Sequence, residues 1–269
     1  MDSLKRNDLL KDWLSRKLKI DFSISTASSD ASFRRYFRVK TVEDTFIVMD
    51  APPENESIEA FVKIGQILNT INVNVPDIFE EDNALGFILM QDFGSDTYLD
   101  VLNDDNQQRL YSDSIESLIQ MQKFVKKDLC QSYSQKILFD EMSLFIEWYL
   151  KKYKKIELTN KENEGLLTCF DEISKKVLSQ EKFFVHRDYH SRNLMNQKSN
   201  NPGILDFQDA LEGPVTYDLV SLLKDAYIEW DEEIVLDHVV RYWEKAKINN
   251  LITNLEFSTF YKDFECMGI

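Results

Sequence analysis

Phe183-Phe-Val-His-Arg-Asp-Tyr-His-Ser-Arg-Asn-Leu-Met-Asn196, followed after a turn by Gly203-Ile-Leu-Asp-Phe-Gln-Asp209, is the stretch whose reading decides the fold. Phe183–Val185 is a short aromatic and β-branched run. Leu194–Met195 and Ile204–Leu205 are two further apolar runs, and Gln197-Lys-Ser-Asn-Asn-Pro-Gly203 between them is turn chemistry throughout. The pattern reads strand, loop, strand, turn, strand. Folding the hairpin brings the segment of Asn193 beside that of Asp206, with the loop carrying Asp188 at the same end. The cluster then holds one base-like carboxylate and two oxygen ligands of the kind magnesium takes, which is the equipment of phosphoryl transfer.

Upstream, Leu4, Leu9, Leu10, Trp13, Leu14 and Leu18 recur at helical spacing and predict an amphipathic opening helix. Residues 25–30 are small and polar and are read as a loop. Phe33–Lys40 and Thr45–Asp50 are read as a pair of strands joined by Thr41-Val-Glu-Asp44, and Ala51-Pro-Pro53 stops the second. A helix over 57–69 and strands over 73–79 and 86–90 complete a small α+β unit on antiparallel strands. From Thr97 the pattern changes to helices: 103–124, 139–153, 166–178, 217–227, 233–247 and one starting at Phe257. The expected class is α+β, with a small antiparallel-sheet lobe (1–90), a connecting hinge (91–96) and a helical lobe (97–269) that carries the hairpin.

The chain has 269 residues, enough for a substantial core, and a formal net charge of −15. That charge argues against a nucleic acid or an anionic membrane surface as partner. A polyphosphate needs a locally basic or metal-loaded site. Cys130, Cys169 and Cys266 are odd in number and match no metal or redox spacing, so reduced thiols in a cytoplasmic protein are expected. The N-terminus lacks the apolar core of a signal peptide, and no apolar run approaches a membrane span.

His186-x-Asp188-x4-Asn193 with Asp206 on the next strand is the strongest chemical signal. Asp188 is the candidate to accept the proton of a substrate hydroxyl, and Asn193 and Asp206 are the candidate magnesium ligands. Asp92-Phe93-Gly94 spells the metal-binding tripeptide of protein kinases, but it precedes the His-x-Asp loop. It reads instead as a linker whose backbone at Met90, Gln91 and Asp92 meets an adenine edge. His186 and His190 lie at a strand–loop junction and not on a helix, which speaks against zinc. Ser28–Tyr36 stands where a phosphate-covering loop would be. It has no glycine, and Ser32, Arg34 and Arg35 are its candidate phosphate contacts.

On these residues the chain resembles the aminoglycoside-phosphotransferase-like kinases. Within them it is similar to the bacterial cell-wall-recycling kinases that phosphorylate N-acetylmuramate and N-acetylglucosamine at the anomeric hydroxyl. The matching stretches are Asp30-Ala-Ser-Phe-Arg-Arg-Tyr-Phe-Arg38, Val48-Met-Asp-Ala-Pro-Pro53, Gln91-Asp-Phe-Gly94 with Thr97-Tyr-Leu-Asp100, Leu144-Phe-x-Glu-Trp-Tyr149, the catalytic loop, Asp206-Phe-Gln-Asp-Ala210, Gly213-Pro214 and Tyr217-Asp-Leu219. The resemblance implies a two-lobe kinase fold, ATP and Mg2+ as cofactors, and a sugar 1-phosphate as product. It makes Asp188 the base and Asn193 and Asp206 the metal ligands, with His186 and Asp218 supporting the loop. Glu147, Trp148, Arg192 and Gln208 are the candidates to face the sugar, Trp148 as a stacking surface unless it is simply core.

Two departures stand out. Val48-Met49-Asp50 occupies the place of the third-strand lysine of ordinary kinases, so phosphate contacts must come from elsewhere: Arg34, Arg35 or, more weakly, Lys63. The chain also ends at Phe264-Glu-Cys-Met-Gly-Ile269, where members of the family continue through further helices, so bare apolar surface is expected. The competing readings are a kinase for an aminoglycoside, choline or amino-acid hydroxyl, and a nucleotide-binding pseudokinase.

Overall fold

The structure, a computed structural model, describes residues 3–28, 34–125 and 129–269. Helix α1 (Ser3–Leu18) leads into β1 (Ser23–Ser28), β2 (Arg35–Lys40) and β3 (Thr45–Asp50); α2 (Glu59–Thr70), β4 (Ile78–Asp82) and β5 (Phe87–Gln91) follow. The five strands form one antiparallel sheet in the order β1-β2-β3-β5-β4.

Side chains alternate along a strand, and both faces of this sheet are used. Val39, Val48, Phe87 and Leu89 turn to one face and bury Leu10, Trp13 and Leu14 of α1. Met49, Ile88 and Met90 turn to the other, where Phe61, Ile64 and Leu68 of α2 cover them. Each such side chain withdrawn from water stabilises by about 1.5–3 kcal/mol. Two expectations change here. Residues 23–28 form a strand, because the edge of β2 supplies the partner that their small polar side chains do not advertise. Val73–Pro76 lies outside β4, which begins at Ile78.

The second half contains α3 (Tyr98–Val101), α4 (Gln107–Phe124), α5 (Gln135–Leu144), a π-helical segment (Phe145–Tyr153) and α6 (Asn160–Leu178). The central strands are β6 (Lys182–Val185), β7 (Leu194–Met195), β8 (Gly203–Ile204) and β9 (Leu211–Pro214); α7 (Tyr217–Leu223), α8 (Glu232–Ile248) and α9 (Phe257–Met267) close the chain. Helix α4 is the spine of this half, with Leu110, Tyr111, Ile115, Leu118 and Ile119 buried along it. Thr97 caps α3 reciprocally with Asp100 and bridges to Met195, which ties the end of the connecting segment to β7. The helix expected over 139–153 is α5 plus one π-helical turn after another, the geometry in which Phe145, Tyr149 and Tyr153 stack along one edge. The fold is the expected α+β kinase-like arrangement, an antiparallel sheet followed by a mainly helical region.

Candidate active site

Strand pairing places the catalytic-loop residues. β7 and β8 pair antiparallel, Leu194 opposite Ile204, and the Leu205 N–H donates to the Asn193 carbonyl at 2.9 Å. Asp206 therefore follows directly on the segment that grips Asn193. Its backbone is left-handed (φ 62°), a conformation that L residues adopt at a cost.

The loop from His186 to Asn193 is held from beneath. Asp218, on α7 and wholly buried, accepts from the His186 N–H at 2.7 Å and the Arg187 N–H at 3.0 Å. Burial pushes the Asp218 carboxyl up to about 7, against the pull of these two donors. Arg187 also has a left-handed backbone (φ 78°) and pairs through its side chain with Glu141 of α5 at 2.6 Å. His186 is fully buried with its ring 5.6 Å from Tyr189, and burial lowers its pKa to about 4, so it is neutral at pH 7. Further along, the Ser191 N–H donates to Asp225 at 2.9 Å.

Asp188 sits on this platform. Burial, with the negative charge of Asp206 nearby, holds its carboxyl above the usual aspartate range. That makes it a better proton acceptor than an exposed aspartate. The Asn193 amide donates to the Asp188 carbonyl at 3.0 Å, which leaves the Asn193 side-chain oxygen to face elsewhere. Asn193 and Asp206 both line a cleft of about 420 Å³, along with Tyr36, Ile47, Met90, Met195 and Leu205. The cleft combines apolar lining with two hard oxygen donors, the combination that a purine nucleotide with magnesium would use. Among the described residues no group of three or more His, Cys, Asp or Glu side chains is placed to hold a metal alone.

The remaining candidates separate. Neighbouring residues on a strand edge point oppositely, and Arg34 and Arg35 do so here. Arg35 turns to the α1 face, where it and Arg6 grip the buried Asp50. It is thus tied down away from the cleft. Arg34 turns toward the hairpin and pairs with Glu56, with its guanidinium 3.5 Å from Asp206 and 3.9 Å from Asp209. Ser32 lies outside the described residues. Met49, in the place of the third-strand lysine, is buried against α2, and Lys63 is solvent-exposed.

Met90, Gln91 and Asp92 line the cleft. The Asp92 carboxylate, however, is engaged by Arg38 of β2 at 2.6 and 3.0 Å and by the Gly94 N–H at 2.9 Å. Burial pushes that carboxyl up, but Arg38 and Gly94 outweigh it and hold it below its ordinary value. The Asp-Phe-Gly sequence is therefore a clasp between β2 and the connecting segment. Gln91 uses its N–H on the Asp77 carbonyl and its side-chain oxygen on the Asp77 N–H.

Of the sugar-facing candidates, Arg192 lines the cleft with its guanidinium stacked 5.1 Å over Tyr227. Gln208 is 6% exposed and donates through its side-chain amide to Asp206 at 2.6 Å. Glu147 and Trp148 do not line the cleft. They lie exposed on the π-helical segment, Glu147 paired with Lys151 and the Trp148 ring 3.5 Å from the Lys152 ammonium; nor is Trp148 core. Four participants were not singled out from sequence: Arg38, Glu56, Asp209 and Asp225. Asp209 stands in the Phe-Gln-Asp segment, the one sequence signal that points to it.

A family model described as "Phosphotransferase enzyme family" matches residues 23–250. An N-acetylmuramate/N-acetylglucosamine kinase of Neisseria meningitidis is 39% identical over 272 residues, covering 99% of this chain and 80% of that protein. One of Pseudomonas putida is 40% identical over 247 residues, covering 92% and 73%. Among solved structures, the ADP-bound aminoglycoside phosphotransferase APH(2'')-Ib superposes with a TM-score of 0.62 at 16% identity, covering 99% of this chain and 97% of the other. The choline kinase LicA of Streptococcus pneumoniae gives 0.59 at 12%, covering 97% and 98%. At those identities the structures speak for the fold alone. The match over 23–250 and the extent of the two sequence relatives leave one assignment: the chain belongs to the phosphotransferase enzyme family.

Proposed function

We propose that the protein is an ATP-dependent sugar kinase that phosphorylates the anomeric C1 hydroxyl of N-acetylmuramate, N-acetylglucosamine or both. The observation that carries the acceptor is 39–41% identity, over 90–99% of this chain, to three kinases named for those sugars. The site supports the chemistry. Asp188 is the base: as the acceptor oxygen bonds to the γ-phosphorus and the bond to ADP breaks, the hydroxyl proton passes to its carboxylate. Asn193 and Asp206 would hold magnesium, which would supply positive charge to neutralise the phosphates. His186, Asp218 and Asp225 keep the loop in place. Arg34 is the phosphate-facing cation, the cleft end at Met90–Asp92 takes the adenine, and Arg192, which lines the cleft, is the candidate for an acceptor carboxylate.

In this reading residues 91–96 are the hinge between a nucleotide-binding lobe (1–90) and a helical lobe (97–269), and the protein works in the cytoplasm, where ATP is supplied. Among the described residues no helix is long and apolar enough to cross a membrane. The test is ATP consumption with N-acetylmuramate, N-acetylglucosamine and choline, beside an Asp188→Asn control. Sugar-dependent turnover that falls at least a hundredfold in D188N is expected. Turnover that ignores the sugar, or survives the substitution, overturns the reading.

A further inference from the structure

Arg34 is 7% exposed and stands among three carboxylates contributed by separate parts of the chain: Glu56 ahead of α2, and Asp206 and Asp209 beyond β8. The amide of Gln208 closes the group, donating to Asp206 Oδ1 at 2.6 Å and reaching Asp209 at 3.4 Å. The same oxygen, Asp206 Oδ1, faces Arg34 Nη1 at 3.5 Å. One oxygen of the carboxylate suited to magnesium thus has two N–H donors against it.

A guanidinium suits such a place. It cannot be deprotonated at working pH, and its five N–H donors lie in a rigid plane, so one edge can stay on Glu56 while the other changes partner. Phosphate oxygens are its best alternative partner, through paired charge-assisted hydrogen bonds. A divalent ion arriving alone is different. It must displace the two donors from Asp206 and sit close to a fixed positive charge, with no phosphate to draw that charge away. Third-strand residues offer no relief, since Met49 is packed in the core and Asp50 is gripped by Arg6 and Arg35 on the far face.

We propose that Arg34 is the counter-cation of Asp206: it shields this carboxylate from a lone divalent ion and transfers its contacts to phosphate when nucleotide binds, so that metal and nucleotide enter together. The inference rests on Asp206 being the metal ligand. Arg34 acts through Asp206 and Glu56 and is a positioning and phosphate-binding residue.

The signature is a pair of effects of opposite sign, which loss of structure alone does not produce. Binding of Mn2+ to the nucleotide-free full chain is measured by electron paramagnetic resonance, and binding of MgADP by calorimetry, for wild type, Arg34→Gln and Arg34→Gln with Asp206→Asn. R34Q is expected to bind Mn2+ alone about tenfold more tightly than wild type and MgADP about tenfold more weakly. Adding D206N removes the gain in Mn2+. If R34Q does not fold by thermal melting, Arg34→Lys serves. Its single ammonium cannot span Glu56 and Asp206, and it is expected to shift both affinities in the same directions by a smaller factor. Unchanged or weaker Mn2+ binding in the folded variant overturns the proposal. If MgADP fails to bind the wild type, the kinase reading falls instead, and the Mn2+ comparison still decides the role of Arg34.

Discussion

Replacing Asp218 by Asn exchanges one carboxylate oxygen for an NH2 group and isolates what holds the catalytic loop. The wild-type carboxyl accepts from two buried backbone donors, His186 N–H at 2.7 Å and Arg187 N–H at 3.0 Å. An asparagine of the same shape can accept one of them, but its NH2 then faces the other donor, which is left without a partner where water cannot reach. An orphaned buried N–H costs about 1–3 kcal/mol, so D218N is expected to lose about 2 kcal/mol. For a chain of this size that lowers the melting temperature by about 4–8 °C. The effect depends on pH with a defined sign. Burial raises the folded Asp218 pKa to about 7, so its contribution is fully present below the unfolded value near 4 and is lost as pH rises through about 7. The gap between wild type and D218N should therefore be wider at pH 5 than at pH 8. Scanning calorimetry at both pH values measures it, with kcat followed on the same samples, since Asp188 rides on the loop. A melting temperature within a degree of wild type, or a gap that widens with pH, refutes the reasoning.

Other outcomes follow from neighbouring features. Asp92→Asn should leave Mn2+ binding to the nucleotide-bound protein intact while costing about 2 kcal/mol through the Arg38 clasp, read by melting; loss of metal binding would mean that the Asp-Phe-Gly sequence is a metal site after all. His186, lowered to about 4 by burial, stays neutral in the fold while the unfolded chain takes up its proton, so stability should fall between about pH 6.5 and 4. A displacement of that size is worth about 3 kcal/mol, and a His186→Gln chain that still folds should show a flatter limb in urea titrations. Gly86→Ala should be among the most damaging small changes to the sheet: φ is 70° there, and an added Cβ would lie 1.8 Å from the Ala51 carbonyl oxygen. Soluble expression at wild-type yield and melting temperature would contradict it.

The hairpin of residues 183–209 was legible because its information is local: three apolar runs, one turn and fixed offsets for Asp188, Asn193 and Asp206. Thr45–Asp50 and the amphipathic helices announced themselves by period in the same way. What sequence withheld was partner choice. Nothing near Asp50 says that Arg6, 44 residues away, will clasp it, and that clasp removes Arg35 from the nucleotide side. The strand Ser23–Ser28 was hidden because an edge strand needs only backbone donors, not apolar side chains. Trp148 carries the composition of core yet is 59% exposed, and Gln208 carries that of a ligand contact yet is 6% exposed. Both depend on which way a helix or turn faces, which no spacing encodes.

The burial of Met49 has a pharmacological consequence. Reactive nucleotide analogues that acylate or sulfonylate the third-strand amine of ordinary kinases meet a thioether sealed in hydrocarbon at that position, and the cations that line the cleft, Arg38 and Arg192, are guanidiniums, poor nucleophiles. Such reagents should pass over this protein in a mixture. A selective ligand would instead carry a carboxylate or phosphonate aimed at Arg34, a group that the lysine-bearing kinases have no equivalent geometry to receive in two-pronged fashion.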